Sequence, residues 1–351
     1  MKYTLLLLFL WMQIGCQIQE RDTSEISNIE EELDNLFYSL TQNEDFNGTV
    51  LVATQKGIVY KKAYGYLDGN QKLPLNIDSQ FGVGSIYKEL PGLSIMMLQE
   101  QGKLSLDDRL AKYLLDLPKW SEQITIQNLL QYTGGLPKIN WQTFKEINDE
   151  ELFKALNGLE TLEFTPGKDY LYTNYSPFLL SKVVEKITGL SYPRFVQENI
   201  FSPYEMNQSA FKKTLPYEDR TGMAIPFDDD FQEDMMPFTI ASSIFLFVTT
   251  AEDLYKFLEA LHDFKIVSKA SMVTLAEKTS VKTENIQSSL GTLTIKDNTI
   301  IKHRHHGSSG NYEALMTRFQ EEDITIILTT NRKKRNLSEI NERIYKKLIE
   351  E

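Results

Sequence analysis

Apolar residues recur along this chain at two spacings, and the changes between them set out its elements. Ile29, Leu33, Leu36, Phe37 and Leu40 repeat at helical intervals, with Ser27 and Glu30 placed as a capping box at the start. Residues 49–53 and 58–64 are strand-like, and Gln55-Lys56-Gly57 between them reads as a turn, so a hairpin is expected. After Phe81-Gly82-Val83-Gly84 the period becomes helical, through Leu93, Met96, Met97 and Leu98. Pro91 near the start of that segment is expected to distort the helix without breaking it. Residues 124–137 predict a short helix closed by glycines, and Leu179, Leu180, Val183, Val184 and Ile187 a longer one stopped by Gly189. A helix with Leu254, Phe257, Leu258 and Leu261 inward is expected over residues 250–261. Strand-like runs follow at 290–295, 300–305, 313–319 and 324–329, then a last helix over 338–349. Strands at both ends around a helical middle predict an α+β fold, with one antiparallel sheet assembled from both chain ends and flanked by helices. Residues 28–351 read as one domain, with 28–84 and 246–351 in the sheet region and 85–245 mainly helical.

The N-terminus changes the picture of where such a domain works. Lys2 precedes an unbroken apolar run from Leu5 to Met12. A membrane-spanning helix needs about 20 apolar residues, and this run of 8 has instead the length of an export-signal core. Gly15-Cys16 at its end resembles the lipobox of bacterial lipoproteins, with Gln13 where leucine is usual; an ordinary signal peptide or a chance buried cysteine is the alternative. The expectation is a signal over 1–15, lipidation of Cys16, a polar tether over 16–27, and a lipid-anchored position in the bacterial cell envelope. Cys16 is the only cysteine, so no internal disulfide is possible.

Composition narrows the partners. An apolar fraction of 41% with 11% aromatics is that of an ordinary globular chain, which excludes disorder. Net charge is −12, which argues against nucleic acid as a partner, since such binding needs a clustered basic footprint. The acidic stretch around Asp228, Asp229 and Asp230 reads as a solvated loop. His303 and His305 would share one face of a strand, but neither carboxylate nor cysteine is near in sequence, so no metal and no cofactor is expected.

Candidate chemistry lies in three separated stretches. Ser85-Ile86-Tyr87-Lys88 places a hydroxyl and an amine three residues apart, hence on one face if a helix starts at Ser85. Serine is a weak nucleophile that needs a neighbouring base or charge, and a helix start favours negative charge there. Tyr172-Thr173-Asn174 follows the turn Thr165-Pro166-Gly167, and His305-His306-Gly307 precedes Ser308-Ser309-Gly310. Taken singly, Tyr172 reads as a half-buried aromatic and Asn174 as a helix cap.

In this order the three stretches resemble the serine β-lactamase and penicillin-binding-protein superfamily. The likeness is greatest to its branch of class C β-lactamases, D-alanyl-D-alanine carboxypeptidases, D-aminopeptidases and esterases. Gly102–Asp108, Ile124–Pro137, Pro166–Gly189, Thr249–Leu254 and Thr329-Thr330-Asn331 are similar as well, so the likeness spans about residues 30–335. The resemblance implies a β-lactamase/transpeptidase-like fold whose helical insertion forms the second wall of a cleft. It implies an acyl-enzyme on Ser85, with Lys88 easing loss of the proton and Tyr172 as general acid/base. Tyr172 in that role is expected to titrate below the free value, helped by Lys88. It also implies that Asn174 holds Lys88 and a substrate carbonyl, that the His305–Gly307 strand forms one wall, and that backbone N–H groups of Ser85 and Ser308 receive the oxyanion. Gly307 would allow close backbone approach.

The chain departs from the family in three places. Tyr132-Thr133-Gly134-Gly135 stands where His-Thr-Ser-Gly is common, Ser242-Ser243 where a glycine pair is common, and histidine where the third motif often has lysine. The first two are expected to affect packing and the floor of the cleft, not the catalytic set. The third removes a permanent charge for a substrate carboxylate, which weakens the case for strong β-lactamase activity. The reading is an exported serine hydrolase acting on an amide, D-amino-acid peptide or ester, with small molecules, peptides or cell-wall fragments as partners. A catalytically idle sensor or binding lipoprotein on the same scaffold is the alternative.

Overall fold

A computed structural model describes residues 28–233, 237–277, 286–297 and 299–350. The expected signal, tether, Cys16 lipidation and Ser27 cap lie outside the described residues. The chain opens with helix α1 (28–42), strands β1 (Gly48–Thr54), β2 (Gly57–Tyr64) and β3 (Phe81–Gly82), and helices α2 (Glu89–Glu100) and α3 (Ile126–Leu130). Strand β4 (Glu146–Ile147), helices α4 (Asp149–Asn157), α5 (Tyr175–Thr188) and α6 (Tyr192–Val196), and strands β5 (Ala210–Phe211), β6 (Thr239–Ile240) and β7 (Phe247–Thr249) follow. Helices α7 (Ala251–His262) and α8 (Lys269–Ala276), strands β8 (Thr292–Lys296), β9 (Thr299–Ser309), β10 (Tyr312–Phe319) and β11 (Ile324–Thr330), and helix α9 (Leu337–Ile349) complete it.

The main sheet runs β2-β1-β11-β10-β9-β8, antiparallel throughout. Its centre joins the two chain ends, because β1 pairs with β11 in a register that sets Val50 opposite Leu328. That is the α+β arrangement which strands at both ends predicted. Alternation along β1 explains the two layers of core. Val50 and Val52 face α1 and α9, packing with Leu33, Phe37, Ile340 and Ile344. Leu51 and Ala53 point the other way, into the larger core with α2, α5 and α7.

Two smaller sheets, β3-β7-β5 and the parallel pair β4-β6, have strands of two or three residues. Such strands are too short to carry a readable period, which is why the sequence did not disclose them. Thr250 caps α7 by accepting from the Asp253 N–H, and Gly189 ends α5 in the left-handed conformation at φ 72°. The expected α-helical start at Ser85 is corrected: Gly84–Lys88 is a 3-10 turn and α2 begins at Glu89. Pro91 then falls in the first turn of α2, where a missing N–H costs little, and the helix runs through to Glu100.

Candidate active site

The 3-10 turn decides the geometry of the first pair. With three residues per turn, residues i and i+3 eclipse one another, and Lys88 Nζ donates to Ser85 Oγ at 2.9 Å. Lys88 is 3% exposed. Its amine lies over the rings of Tyr87 and Tyr172, 4.5 and 4.9 Å from their centroids. Burial disfavours its charged form and lowers its pKa to about 7. A lysine in this setting is about half free amine at neutral pH.

Tyr172 arrives on the extended segment that leads into α5. Burial pushes its phenol well above the ordinary value, and the nearby Ser85 hydroxyl offsets only part of that shift. The two groups stop short of hydrogen-bond geometry, and the phenol oxygen is buried without a partner among the described residues. This corrects the expectation of a lowered phenol pKa: desolvation outweighs the help of the Ser85 hydroxyl. At rest Tyr172 is a proton donor. Asn174 is the N-cap residue of α5, yet its side chain makes no cap bond. Its Oδ1 accepts from Tyr87 Oη at 3.0 Å, and no hydrogen bond joins it to Lys88, contrary to expectation. Thr173 Oγ1 donates to the Pro137 carbonyl at 2.5 Å, and the Leu171 N–H donates to the Tyr132 carbonyl at 2.9 Å. The Tyr132 ring packs 4.7 Å from that of Tyr172. The departure at Tyr132 therefore bears on a site residue and not on distant packing alone. Ser242, the other departure, does act in packing, donating to Asp149 of α4 at 2.5 Å.

Strand β9 forms the second side. A Cβ on Gly307 would lie 1.9 Å from the Val83 carbonyl oxygen and 2.9 Å from the Ser85 nitrogen. Only hydrogen fits there. Gly84, at φ 50°, abuts the Ser308 nitrogen in the same way, at 2.3 Å from its own would-be Cβ. Backbones 83–86 and 307–308 are thus in direct contact, which brings the Ser85 and Ser308 amides to one place.

His305 does not face the cleft. It is 2% exposed, and its Nδ1 lies 2.7 Å from Glu89 Oε1. His303 Nε2 meets the same oxygen at 3.0 Å, and its Nδ1 meets His262 Nε2 at 3.1 Å. Burial alone would raise the Glu89 carboxyl, but the two imidazoles outweigh it and hold the group at about 2. Burial lowers His305, and drives His262 down to about 3. The notion that no carboxylate lies near these histidines is corrected, since folding brings Glu89 between them. Even so, no group of three metal-ligating side chains among the described residues has a geometry that could hold an ion. His306 turns the other way, to Glu313 Oε1 at 2.7 Å.

A cavity of about 270 Å³ opens over these groups, with Ser85, Lys88, Tyr172, Asn174 and Ser308 in its lining. Trp141, Phe238, Ile240 and Phe245 close its far side. Trp141 stacks on Phe238 at 6.4 Å and meets Phe245 edge-on at 5.3 Å, and Phe245 meets Tyr87 at 5.7 Å. Sequence reasoning missed Glu89, Tyr87, this aromatic side and Lys333, which donates to Ser308 Oγ at 2.5 Å. Glu89 and Tyr87 adjoin or fall within the first motif and were open to notice. The aromatics lie in irregular segments with no period to flag them.

Known proteins resemble this chain in sequence and fold. The profile of the family described as Beta-lactamase matches residues 33–351. Penicillin-binding protein 4* of Bacillus subtilis (strain 168) is 27% identical over 330 residues, covering 87% of this chain and 72% of that protein. A class C β-lactamase superposes with a TM-score of 0.73 at 19% identity, covering 92% of this chain and 96% of its own. The D-amino acid amidase of Ochrobactrum anthropi SV3, solved with D-phenylalanine, gives 0.69 at 20% identity, over 88% and 91%. At such identities the structural likeness speaks to fold.

Proposed function

Because the chain belongs to the serine β-lactamase and penicillin-binding-protein superfamily, we propose that it is a serine hydrolase that cleaves an amide, D-amino-acid peptide or ester through an acyl-enzyme on Ser85. The observation that carries this reading is the buried amine of Lys88, near pKa 7 and 2.9 Å from the Ser85 hydroxyl. As free amine, Lys88 accepts the Ser85 proton while Oγ attacks the scissile carbonyl. The N–H groups of Ser85 and Ser308 receive the developing oxyanion. Tyr172, protonated at rest, gives its proton to the leaving group as the carbon–heteroatom bond breaks. Water then attacks the acyl-enzyme, its proton returning through the same groups, and Ser85 is regenerated. Asn174, held by Tyr87, offers its amide N–H₂ to the substrate.

The aromatic side of the cavity supports an apolar acyl group, in keeping with the D-phenylalanine bound to the amidase. Cell-wall peptides bearing D-amino acids are the natural candidates, and export with lipidation at Cys16 would place the enzyme in the cell envelope beside them. Treating the protein with a fluorophosphonate or a penicillin and weighing it tests the core of this reading. One adduct on Ser85 is expected, absent from Ser85→Ala; a wild type that no acylating probe labels would favour the idle binding protein. For the anchor, detergent-phase partitioning should be lost in Cys16→Ser, and its survival there would count against lipidation.

A further inference from the structure

Tyr87 stands between Ser85 and Lys88 in the chain and is 4% exposed. Its phenol does more than fill space. It reaches from the 3-10 turn to the start of α5, where Oη donates to Asn174 Oδ1 at 3.0 Å. Burial holds this phenol well above its ordinary pKa, so it keeps the proton it donates. Its ring is fixed on two sides, by Phe245 edge-on at 5.7 Å and by Lys88 Nζ at 4.5 Å from its centre. With Oδ1 turned to Tyr87, Nδ2 is the group that Asn174 can offer to the cavity it lines.

The consequence falls on Lys88. Its amine has one hydrogen-bond partner among the described residues, Ser85 Oγ. The other polar groups around it are engaged or uncharged. Glu89, next in the chain, holds His303 and His305 at 3.0 and 2.7 Å. His305, which faces Lys88 from β9, has its cation disfavoured by burial. Tyr172 presents its ring, 4.9 Å from Nζ, and burial keeps its phenol protonated. Burial does the same to Tyr132 and Tyr192 behind these rings. Asn174 Oδ1, the amide acceptor of the site, is taken by Tyr87. An acceptor on the ammonium would favour the charged form. Without one, burial alone acts on Lys88 and brings it to about 7.

We propose that Tyr87 is a positioning residue for the Ser85 reaction: its hydroxyl occupies Asn174 Oδ1, keeps that acceptor from Lys88, and so leaves the amine free to serve Ser85 alone. The inference rests on the hydrolase reading given above. One hydrogen bond then does two things. It turns the donor end of Asn174 toward the substrate, and it withholds from Lys88 the bond that would stabilise its cation. Tyr87 touches neither substrate nor the reacting atoms and acts through these two neighbours.

The test reads Lys88 directly. Protein carrying ε-¹³C-lysine is titrated by NMR, the Lys88 signal being the one lost in Lys88→Arg. The rate at which an uncharged phosphonate labels Ser85 is followed over the same pH range. Wild type is expected to show a midpoint at about 7. Tyr87→Phe keeps the ring and releases Oδ1, and one hydrogen bond to the ammonium should raise the midpoint by about one pH unit. Labelling at pH 7 should then fall about fivefold and recover above about pH 9, whereas a loss of packing would slow it at every pH. Asn174→Ala should leave the midpoint in place, because no bond joins Asn174 to Lys88, and Tyr87→Phe added to it should have no further effect. An unmoved or lowered midpoint in Tyr87→Phe, a fall in Asn174→Ala, or a rise that persists without Asn174 would each overturn the proposal. The NMR midpoints are read whether or not Ser85 is labelled, so a failed hydrolase reading and a failed role for Tyr87 give different results.

Discussion

The two sides of the cleft are built on different principles. On the β9 side, position is fixed by backbone contact and buried polar bonds. Gly307 and Gly84 press strand against turn, and Glu89 ties α2 to His303 and His305 beneath them. On the opposite side the side chains of Trp141, Phe238, Ile240 and Phe245 meet through ring and apolar contacts, and come from 3-10 turns, a loop and the two-residue strand β6. Hydrogen bonds and excluded volume have one solution, so the first side can hold donors to the tolerance that acyl transfer requires. Apolar contacts degrade gradually, so the second can accept substrates of varied shape. Under the proposed acyl transfer, chemistry and selectivity are thereby separated across the cavity.

Removing the buried carboxylate is the most severe way to break the first side. Glu89→Ala leaves His303 and His305 buried without their common acceptor, a class of change that costs about 3–5 kcal/mol. Urea unfolding at pH 7 should register it. The pH dependence has a definite sign. Folding depresses the Glu89 carboxyl from 4.5 to about 2. Its stabilisation is complete above about pH 4.5 and is lost as pH falls toward 2. The gap between wild type and Glu89→Gln should therefore narrow at pH 3. A gap that stays constant would show that Glu89 is not held as a carboxylate.

Next in size is Gly307→Ala. Its methyl group would meet the Val83 carbonyl at 1.9 Å, so β9 must withdraw from Ser85. Misplacing one oxyanion donor costs about 10²–10³ in rate, and the rate of probe acylation at Ser85 should fall by that order. A variant that folds and acylates normally would remove Ser308 from the oxyanion site.

How well the sequence could be read follows the same division. The polar side was legible because its parts are contiguous triplets and tetrads: Ser85–Lys88, Tyr172–Asn174 and His305–Gly307. The sheet was legible because residues 49–53 and 324–329 are short runs of β-branched and apolar residues, the composition of strands buried on both faces. Which way each side chain points was less accessible. His305 and Tyr172 were named from motifs, but the burial that turns His305 toward Glu89 and raises the Tyr172 phenol depends on residues far away in the chain. Trp141, Phe238 and Lys333 lie about a hundred residues apart, in segments with no period, and only folding assembles them.

The pH dependence of acylation sharpens the division of roles within the polar side. Lys88 can accept a proton only as free amine, and its pKa is lowered to about 7. The acylation rate with an uncharged phosphonate should therefore fall about tenfold per pH unit below 7 and level off above it. Tyr172, raised by burial, should add no falling limb in the neutral range. A rate that climbs as pH drops would assign the work to the lysine cation and break the proton path proposed for Ser85.

The smallest expected effect falls on the aromatic side, and its pattern matters more than its size. Trp141→Ala opens the cavity where Phe238 and Phe245 lean on the indole, at 6.4 and 5.3 Å. Apolar pockets discriminate by about 1–3 kcal/mol per group, so kcat/KM for an ester with a phenylacetyl group should drop roughly tenfold. The same variant acting on an acetyl ester should change little, because a small acyl group does not reach the indole. Stability should also change little, since Trp141 is only half-buried. An equal loss on both esters would mean that the aromatic side positions Ser85 through Phe245 and Tyr87, whose rings stand 5.7 Å apart. The two sides would then be one mechanical unit, and the separation of chemistry from selectivity would have to be given up.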